Sequence, residues 1–130
     1  MRKLLYVACL VAALSACSNG TSEQAAAEAA KSYYDQLREG YYEGFLEGKA
    51  GIDSLPADYC EQLLDVCRHY MDDLVRKHQG ISEVRISENV GRTETSLHLT
   101  HAFLLLCYGD STQEEITVPM IEVGGVWKMK

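Results

Sequence analysis

His101 is the residue whose chemistry stands out most in this sequence, because it lies within a run of apolar residues. The run belongs to Thr93–Tyr108, which we predict to be one long β-strand. Side chains alternate between the two faces of a strand. The odd-numbered face would then carry, beside His101, the apolar residues Leu97, Leu99, Phe103 and Leu105. A histidine in such surroundings could act as a general base. It could equally be a structural histidine bonded to a tyrosine hydroxyl or a backbone carbonyl.

Four aromatic residues could line a ligand site together with His101, and each also has a plain packing role. They are Tyr33, Tyr41, Phe103 and Trp127. Tyr33 and Tyr41 fall on the apolar stripes of predicted helices, where amphipathic tyrosines commonly pack in the core. Trp127 follows a predicted hairpin, so it either covers the end of the sheet or lines a pocket there.

Other patterns for catalysis or metal binding are missing from the sequence. His98 and His101 are spaced H-x-x-H, but strand alternation places them on opposite faces, so they cannot share a metal ion. No cysteine and histidine spacing matches a zinc site, and the sequence has neither a phosphate-binding glycine loop nor a Gly-x-Ser-x-Gly elbow. Asp35, Glu88 and Glu122 are carboxylates that a proton-transfer enzyme could use, but nothing around them marks such a role. We therefore predict no metal and no cofactor.

The cysteines leave two arrangements open. Cys60 and Cys67 lie about two turns apart in a predicted helix, which puts their Cα atoms about 10.5 Å apart. A disulfide needs Cα atoms within roughly 7 Å, so these two cannot pair while helical. Cys107 could pair with either of them across a helix–sheet interface, or all three could be small buried apolar residues.

The start of the chain has the layout of a lipoprotein signal. Arg2 and Lys3 precede an apolar run, Leu4–Leu14, which is too short to span a bilayer but suits a signal peptide. Leu14-Ser15-Ala16-Cys17 then resembles the bacterial lipobox. The resemblance implies that residues 1–16 are removed and that Cys17 is acylated, which anchors the chain to a membrane. Ordinary secretion with cleavage near Ala16 is the alternative.

These features predict a location in the bacterial cell envelope. Ser18 stands where enteric lipoproteins retained in the inner membrane carry an aspartate, so we expect the outer membrane. Residues 17–24 are predicted to be a flexible tether, and residues 25–130 a single domain. The formal net charge of −7 argues against nucleic acid as a partner and against electrostatic docking on anionic lipid.

The domain reads as helices followed by strands. Periodic apolar residues predict helices over Ser22–Glu39, Tyr41–Gly48 and Pro56–Gln79. From Ile81 the pattern alternates, which predicts strands over Ile81 to about Gly91, Thr93–Tyr108, Glu114–Val123 and Val126–Lys130. Pro119 predicts a local break in the third of these strands, since proline cannot donate to a sheet. The order predicts an α+β fold with helices on one face of an antiparallel sheet of about four strands.

The region from Ala25 to Lys130 resembles the NTF2-like, or cystatin-like, superfamily, in which helices and a curved sheet form a cone. The resemblance is carried by the helix opening LPADYCEQL and by Tyr108-Gly109-Asp110, Val118-Pro119-Met120 and Gly124-Gly125-Val126-Trp127-Lys128. More narrowly, the chain resembles small Bacteroidetes-type lipoproteins with a domain of unknown function, grouped beside lumazine-binding-like proteins. The superfamily includes ketosteroid isomerases, dehydratases, polyketide cyclases and many non-enzymatic members, so its fold does not settle function.

Three functions follow as hypotheses. The first is a membrane-anchored, non-enzymatic NTF2-like module that binds a small molecule or another envelope protein. The second is an isomerase or dehydratase that uses His101 with a tyrosine inside the cone. The third is a structural or dimerising domain with a filled cone, in which the outer face of the sheet is the interface.

Overall fold

The computed structural model describes residues 21–130. Three α-helices come first, α1 (Ser22–Arg38), α2 (Tyr42–Glu47) and α3 (Ala57–His78). The strands β1 (Ile81–Glu94), β2 (Leu99–Tyr108), β3 (Gln113–Val123) and β4 (Val126–Met129) follow. They form one antiparallel sheet in the order β1-β2-β3-β4. The predicted α+β architecture is confirmed.

The ends of the helices are set by local backbone chemistry. Thr21 caps α1, because its hydroxyl accepts a 3.1 Å hydrogen bond from the Gln24 backbone amide. Residues 22–24, which we assigned to the tether, are therefore helical. Helix α3 stops at Gln79, whose φ of 63° is left-handed, and Gly80 follows with a φ of 81°. No helix within residues 21–130 combines the length and the hydropathy needed to cross a bilayer.

The helices cover one face of the sheet, which we call the inner face. On β2 this face carries the even-numbered residues Ala102, Leu104, Leu106 and Tyr108, which join Ala26, Ala27 and Ala30 of α1 in the main core. The odd-numbered residues His101, Phe103 and Leu105 lie on the opposite, outer face and are only partly exposed. The isomerase hypothesis, which requires His101 inside the cone, therefore assigned this residue to the wrong face of the sheet.

The predicted strand Thr93–Tyr108 is two strands joined by a turn. Thr93 and Glu94 end β1, Thr95–Leu97 form a single 3-10 turn, and His98 adopts a left-handed φ of 53° before β2 begins. The turn reverses the chain, so Glu94 pairs with Leu99. The side chains before and after the turn therefore follow no single alternation.

Two further features of the sheet differ from the prediction. Strand β1 continues to Glu94, with a bulge between Ile86 and Gly91 in which Val90 has a left-handed φ of 59°. Strand β3 has no break at Pro119, because its register with β2 is continuous from Gln113 to Met120. Pro119 lies opposite the end of β4, and its carbonyl still accepts a 2.9 Å hydrogen bond from the Lys130 amide. Only the bond that its own nitrogen would donate is lost there, so the strand continues through the proline.

Candidate functional site

The inner face is filled by side chains. Leu104, Leu106 and Met120 are fully buried, and alanines at the facing positions of α1 let that helix approach the sheet closely. The Tyr33 hydroxyl donates a 2.7 Å hydrogen bond to the Trp127 carbonyl. Its ring lies against Gly48, where an added Cβ would sit 2.5 Å from a ring carbon. The interior of the predicted cone is thus occupied by packed residues of the chain itself.

The predicted site residues are not brought together. Tyr33 packs inside, while His101 and Phe103 lie on the outer face. Tyr41 is exposed just before α2, and Trp127 is partly buried on the inner face near the end of the sheet. Cys17 lies outside the described residues. The pairing of His101 with a tyrosine inside the cone, required by the isomerase hypothesis, is absent from the part of the chain described.

The outer face has an apolar centre and a charged rim. Phe103, Leu105, Pro119 and Ile121 are partly exposed on it. The register places charged residues on both sides of this centre: Arg85, Arg92 and Glu94 on β1, Glu115 on β3 and Lys128 on β4. Within residues 21–130, the helices pack on the inner face and leave this surface uncovered. Such a surface is typical of one that contacts another macromolecule.

His101 takes part in this surface as a member of an ion-pair site. Its Nε2 lies 3.2 Å from Glu94 Oε1, which is close enough for an ion pair when the imidazole is protonated. The geometry falls short of a hydrogen bond, so the buried Nε2 has no hydrogen-bond partner among the described residues. On the same face, the Ser87 hydroxyl donates to the Glu115 carboxylate and spans the width of β2.

An open cleft lies at the end of the sheet where α1 begins. Its volume is about 690 Å³, and it is lined by Ser22, Glu23, Thr93, Thr95, His98, Thr100, Glu122 and Trp127. The Thr93 hydroxyl donates a 2.6 Å hydrogen bond to Glu23, which lowers the pKa of that carboxyl. Two carboxylates beside an indole could hold a small cationic or polyhydroxylated molecule. Sequence reasoning singled out Trp127 and Glu122 separately but not this grouping.

A second polar cluster at the opposite end of the sheet was missed because its members are distant in sequence. His78 lies at the end of α3, and its Nδ1 is 3.0 Å from Asp110 Oδ2 in the β2–β3 turn. Its ring stacks on Tyr108 with ring centroids 4.3 Å apart. Hydrogen bonds from Thr112 and from His78 lower the pKa of Asp110 to about 2. Burial and a hydrogen bond to Glu114 raise the pKa of Tyr108. These contacts hold the C-terminal end of α3 against the β2–β3 turn.

The cysteines of the described region are all free. Cys107 belongs to the outer face, so it faces away from the helix that carries Cys60 and Cys67, and the disulfide that the sequence left open does not form. Burial raises the pKa of the Cys67 thiol. Across residues 21–130, no group of histidine, cysteine or acidic side chains has the arrangement of a metal site.

Comparison with known proteins gives one informative similarity. The sequence matches no family model, and it has no match among curated proteins. Its structure is similar to that of a proposed NTF2-like transpeptidase from Campylobacter jejuni, solved by crystallography at 2.00 Å resolution. The two chains share 12% sequence identity over 77% of this chain and 92% of the other, with a TM-score of 0.59. The similarity concerns the fold, and this chain has an NTF2-like α+β fold.

Proposed function

We propose that this chain is a lipid-anchored, non-enzymatic NTF2-like module that binds another protein of the bacterial envelope through the outer face of its sheet. The observation that carries the proposal is the contrast between the two faces of the sheet. The inner face is filled by Leu104, Leu106 and Met120, whereas the outer face exposes part of Phe103 and Leu105. A packed interior and an uncovered apolar face favour binding at the surface over binding inside the cone.

The composition of the outer face suits a protein partner. The apolar centre around Phe103 and Leu105 resembles the core of a protein interface, where charged residues are depleted and aromatic residues enriched. The surrounding Arg85, Arg92, Glu94 and Glu115 supply both signs of charge, so a partner can be oriented by complementary charges at the rim. The face is broad and open, which favours a protein over a small molecule.

The chemistry of the described residues supports the non-enzymatic part of the proposal. The similar C. jejuni protein is described as a proposed transpeptidase, and that reaction needs an activated nucleophile. In this chain, burial raises the pKa of Cys67, the opposite of what activation requires. His101, the one catalytic candidate from the sequence, lies beside Glu94 on the outer face rather than in an enclosed site.

The anchor is the second part of the proposal, and it rests on the sequence. Leu14-Ser15-Ala16-Cys17 follows the apolar run Leu4–Leu14 directly, as a lipobox should. Two or more acyl chains on Cys17 would hold the domain at a membrane, with the outer membrane as the proposed location.

Site-specific photo-crosslinking in the source organism tests the protein-binding face. A photoreactive residue is placed at Leu105 or Ile121 on the outer face, and at the exposed Val66 or Val75 on α3 as matched controls. We expect a discrete cross-linked product from the outer-face positions and none from the controls. A product of twice the chain's mass would identify a second copy as the partner. Products from the α3 positions alone would contradict the proposed face.

A small ligand in the cleft is the second candidate function, favoured by the position of Trp127 beside Glu122 and Glu23. Native mass spectrometry of residues 21–130 after incubation with envelope extract tests it. A reproducible added mass that is lost in a Trp127→Ala variant would support this function. An unchanged mass would leave the outer face as the functional surface.

A further inference from the structure

Several exposed apolar side chains gather at one end of the sheet. The turn Thr95–Leu97 joins β1 to β2 there, and the Gly124-Gly125 hairpin joins β3 to β4. Leu97 is 58% exposed, Val123 50% and Val126 49%, so both loop tips present large apolar groups to solvent. The opposite end of the sheet carries the polar His78–Asp110 cluster instead.

The first turn of α1 lies at this end as well. The Thr93 hydroxyl bonds Glu23 in the first turn of α1, and the cleft beside it is lined by residues of α1, of the 95–98 turn and of β4. The first turn of α1 and both loop tips therefore form one end of the domain.

The proposed anchor lies very close to this end in sequence. Cys17 is separated from the cap residue Thr21 only by Ser18, Asn19 and Gly20. A polypeptide spans at most about 3.5 Å per residue, so an acyl group on Cys17 would keep Thr21 within roughly 14 Å of the membrane surface. So short a connection restricts how the domain can turn relative to the bilayer.

We propose that the two apolar loop tips, through Leu97, Val123 and Val126, contact the lipid bilayer and orient the domain on it. The inference rests on the proposed acylation of Cys17, because the tips alone are too small for lasting membrane binding. Buried apolar surface strengthens attachment that an acyl chain already provides. Glu23, Glu94 and Glu122 lie at the same end, so the contact is apolar, shallow and suited to zwitterionic rather than anionic lipid.

This orientation would also determine the direction that the outer face of the sheet faces relative to the membrane. The loop tips would then touch the membrane surface, and the strands would extend away from it. Phe103 and Leu105 would therefore face in a direction parallel to the plane of the bilayer. A partner anchored in the same membrane could then reach the proposed binding face.

The chain contains a reporter for this contact. Its single tryptophan, Trp127, directly follows Val126 at the loop tip. The acylated full chain is purified from bacteria, checked by mass for the acyl groups, and reconstituted in phosphatidylcholine vesicles with or without bromine on the acyl chains. Brominated lipid quenches indole emission on close approach, so we expect Trp127 to be quenched.

Two variants make the test specific. The triple variant carries Leu97→Ser, Val123→Ser and Val126→Ser. It should lose most of the quenching while it still sediments with the vesicles. Val66→Ser with Val75→Ser removes side chains that are 62% and 57% exposed on α3 and should leave quenching at the wild-type level. Equal quenching of the wild type and the triple variant, or an anchored wild type that is not quenched, would overturn the inference and leave the anchor intact. A chain without acyl groups would refute the proposed anchor and the inference with it.

Discussion

Leu104 and Leu105 are adjacent, chemically identical, and placed on opposite faces of the sheet, so they offer a direct test of which face is the core. Leu104 is fully buried on the inner face, and Leu105 is partly exposed on the outer face. Truncation of a buried leucine to alanine removes its transfer free energy and leaves a cavity, at a total of about 2–5 kcal/mol. We expect Leu104→Ala to lower the free energy of unfolding by about 3–4 kcal/mol.

Leu105→Ala removes a side chain that is already partly hydrated, and we expect it to cost about 1 kcal/mol. At about 4 °C per kcal/mol for a domain of this size, the melting temperatures of the two variants should differ by roughly 10 °C. Urea titration followed by Trp127 fluorescence and by far-UV circular dichroism measures both values, and equal m-values would show that the same surface unfolds. If Leu105→Ala were as destabilising as Leu104→Ala, the odd-numbered face would be the core and our structural account would be refuted.

Three further predictions concern the contacts that hold the elements together. Tyr33→Phe removes the hydrogen bond to the Trp127 carbonyl and should cost about 0.5–1.5 kcal/mol in a urea titration, whereas no change would show that water replaces the hydroxyl. Gly109→Ala would place a Cβ 2.5 Å from the Gln79 carbonyl oxygen. It should therefore cost about 1–3 kcal/mol by pushing the β2–β3 turn away from α3, and wild-type stability would refute that close approach. Folding lowers the pKa of Asp110 from 3.8 to about 2, so its carboxylate stabilises the fold above the higher value and loses this effect as pH falls through the lower one. The stability difference between the wild type and Asp110→Asn should accordingly be largest near neutral pH and shrink in acid, and a difference independent of pH would contradict the contact.

The helices and the fold class could be predicted because their signals are local. Each helix is marked by periodic apolar residues and ends at or next to a glycine or a left-handed residue, as at Gly80. The change from helical to alternating periodicity at Ile81 indicated where the sheet begins. A four-stranded antiparallel order then followed from short connections such as Gly124-Gly125.

The start of β2 could not be predicted because its turn lacks the strongest turn signals. Thr95-Ser96-Leu97-His98 contains neither glycine nor proline, and its alternation of polar and apolar residues continues that of the strands. His98 nevertheless adopts a left-handed φ, which sequence alone rarely reveals outside glycine. Val90 in the β1 bulge is a still rarer case, because a β-branched side chain disfavours that conformation.

The assignment of the faces failed for a physical reason as well. Beyond Ala102, strand β2 is apolar on both sides, so alternation could not show which side the helices cover. Coverage is a tertiary property, decided here by the alanines of α1 that pack against Leu104 and Leu106. Pairs distant in the chain, such as His78 with Asp110, have no local signal at all.

The measurement that tests the account most directly is the mass of the amino-terminal peptide of the mature protein from the source organism. Membrane anchoring is common to the proposed function and to the proposed orientation, and both depend on Cys17. We predict a peptide that begins at Cys17 and carries acyl groups, with no such product from a Cys17→Ser variant. A mature chain that begins elsewhere, or an unmodified Cys17, would contradict the account.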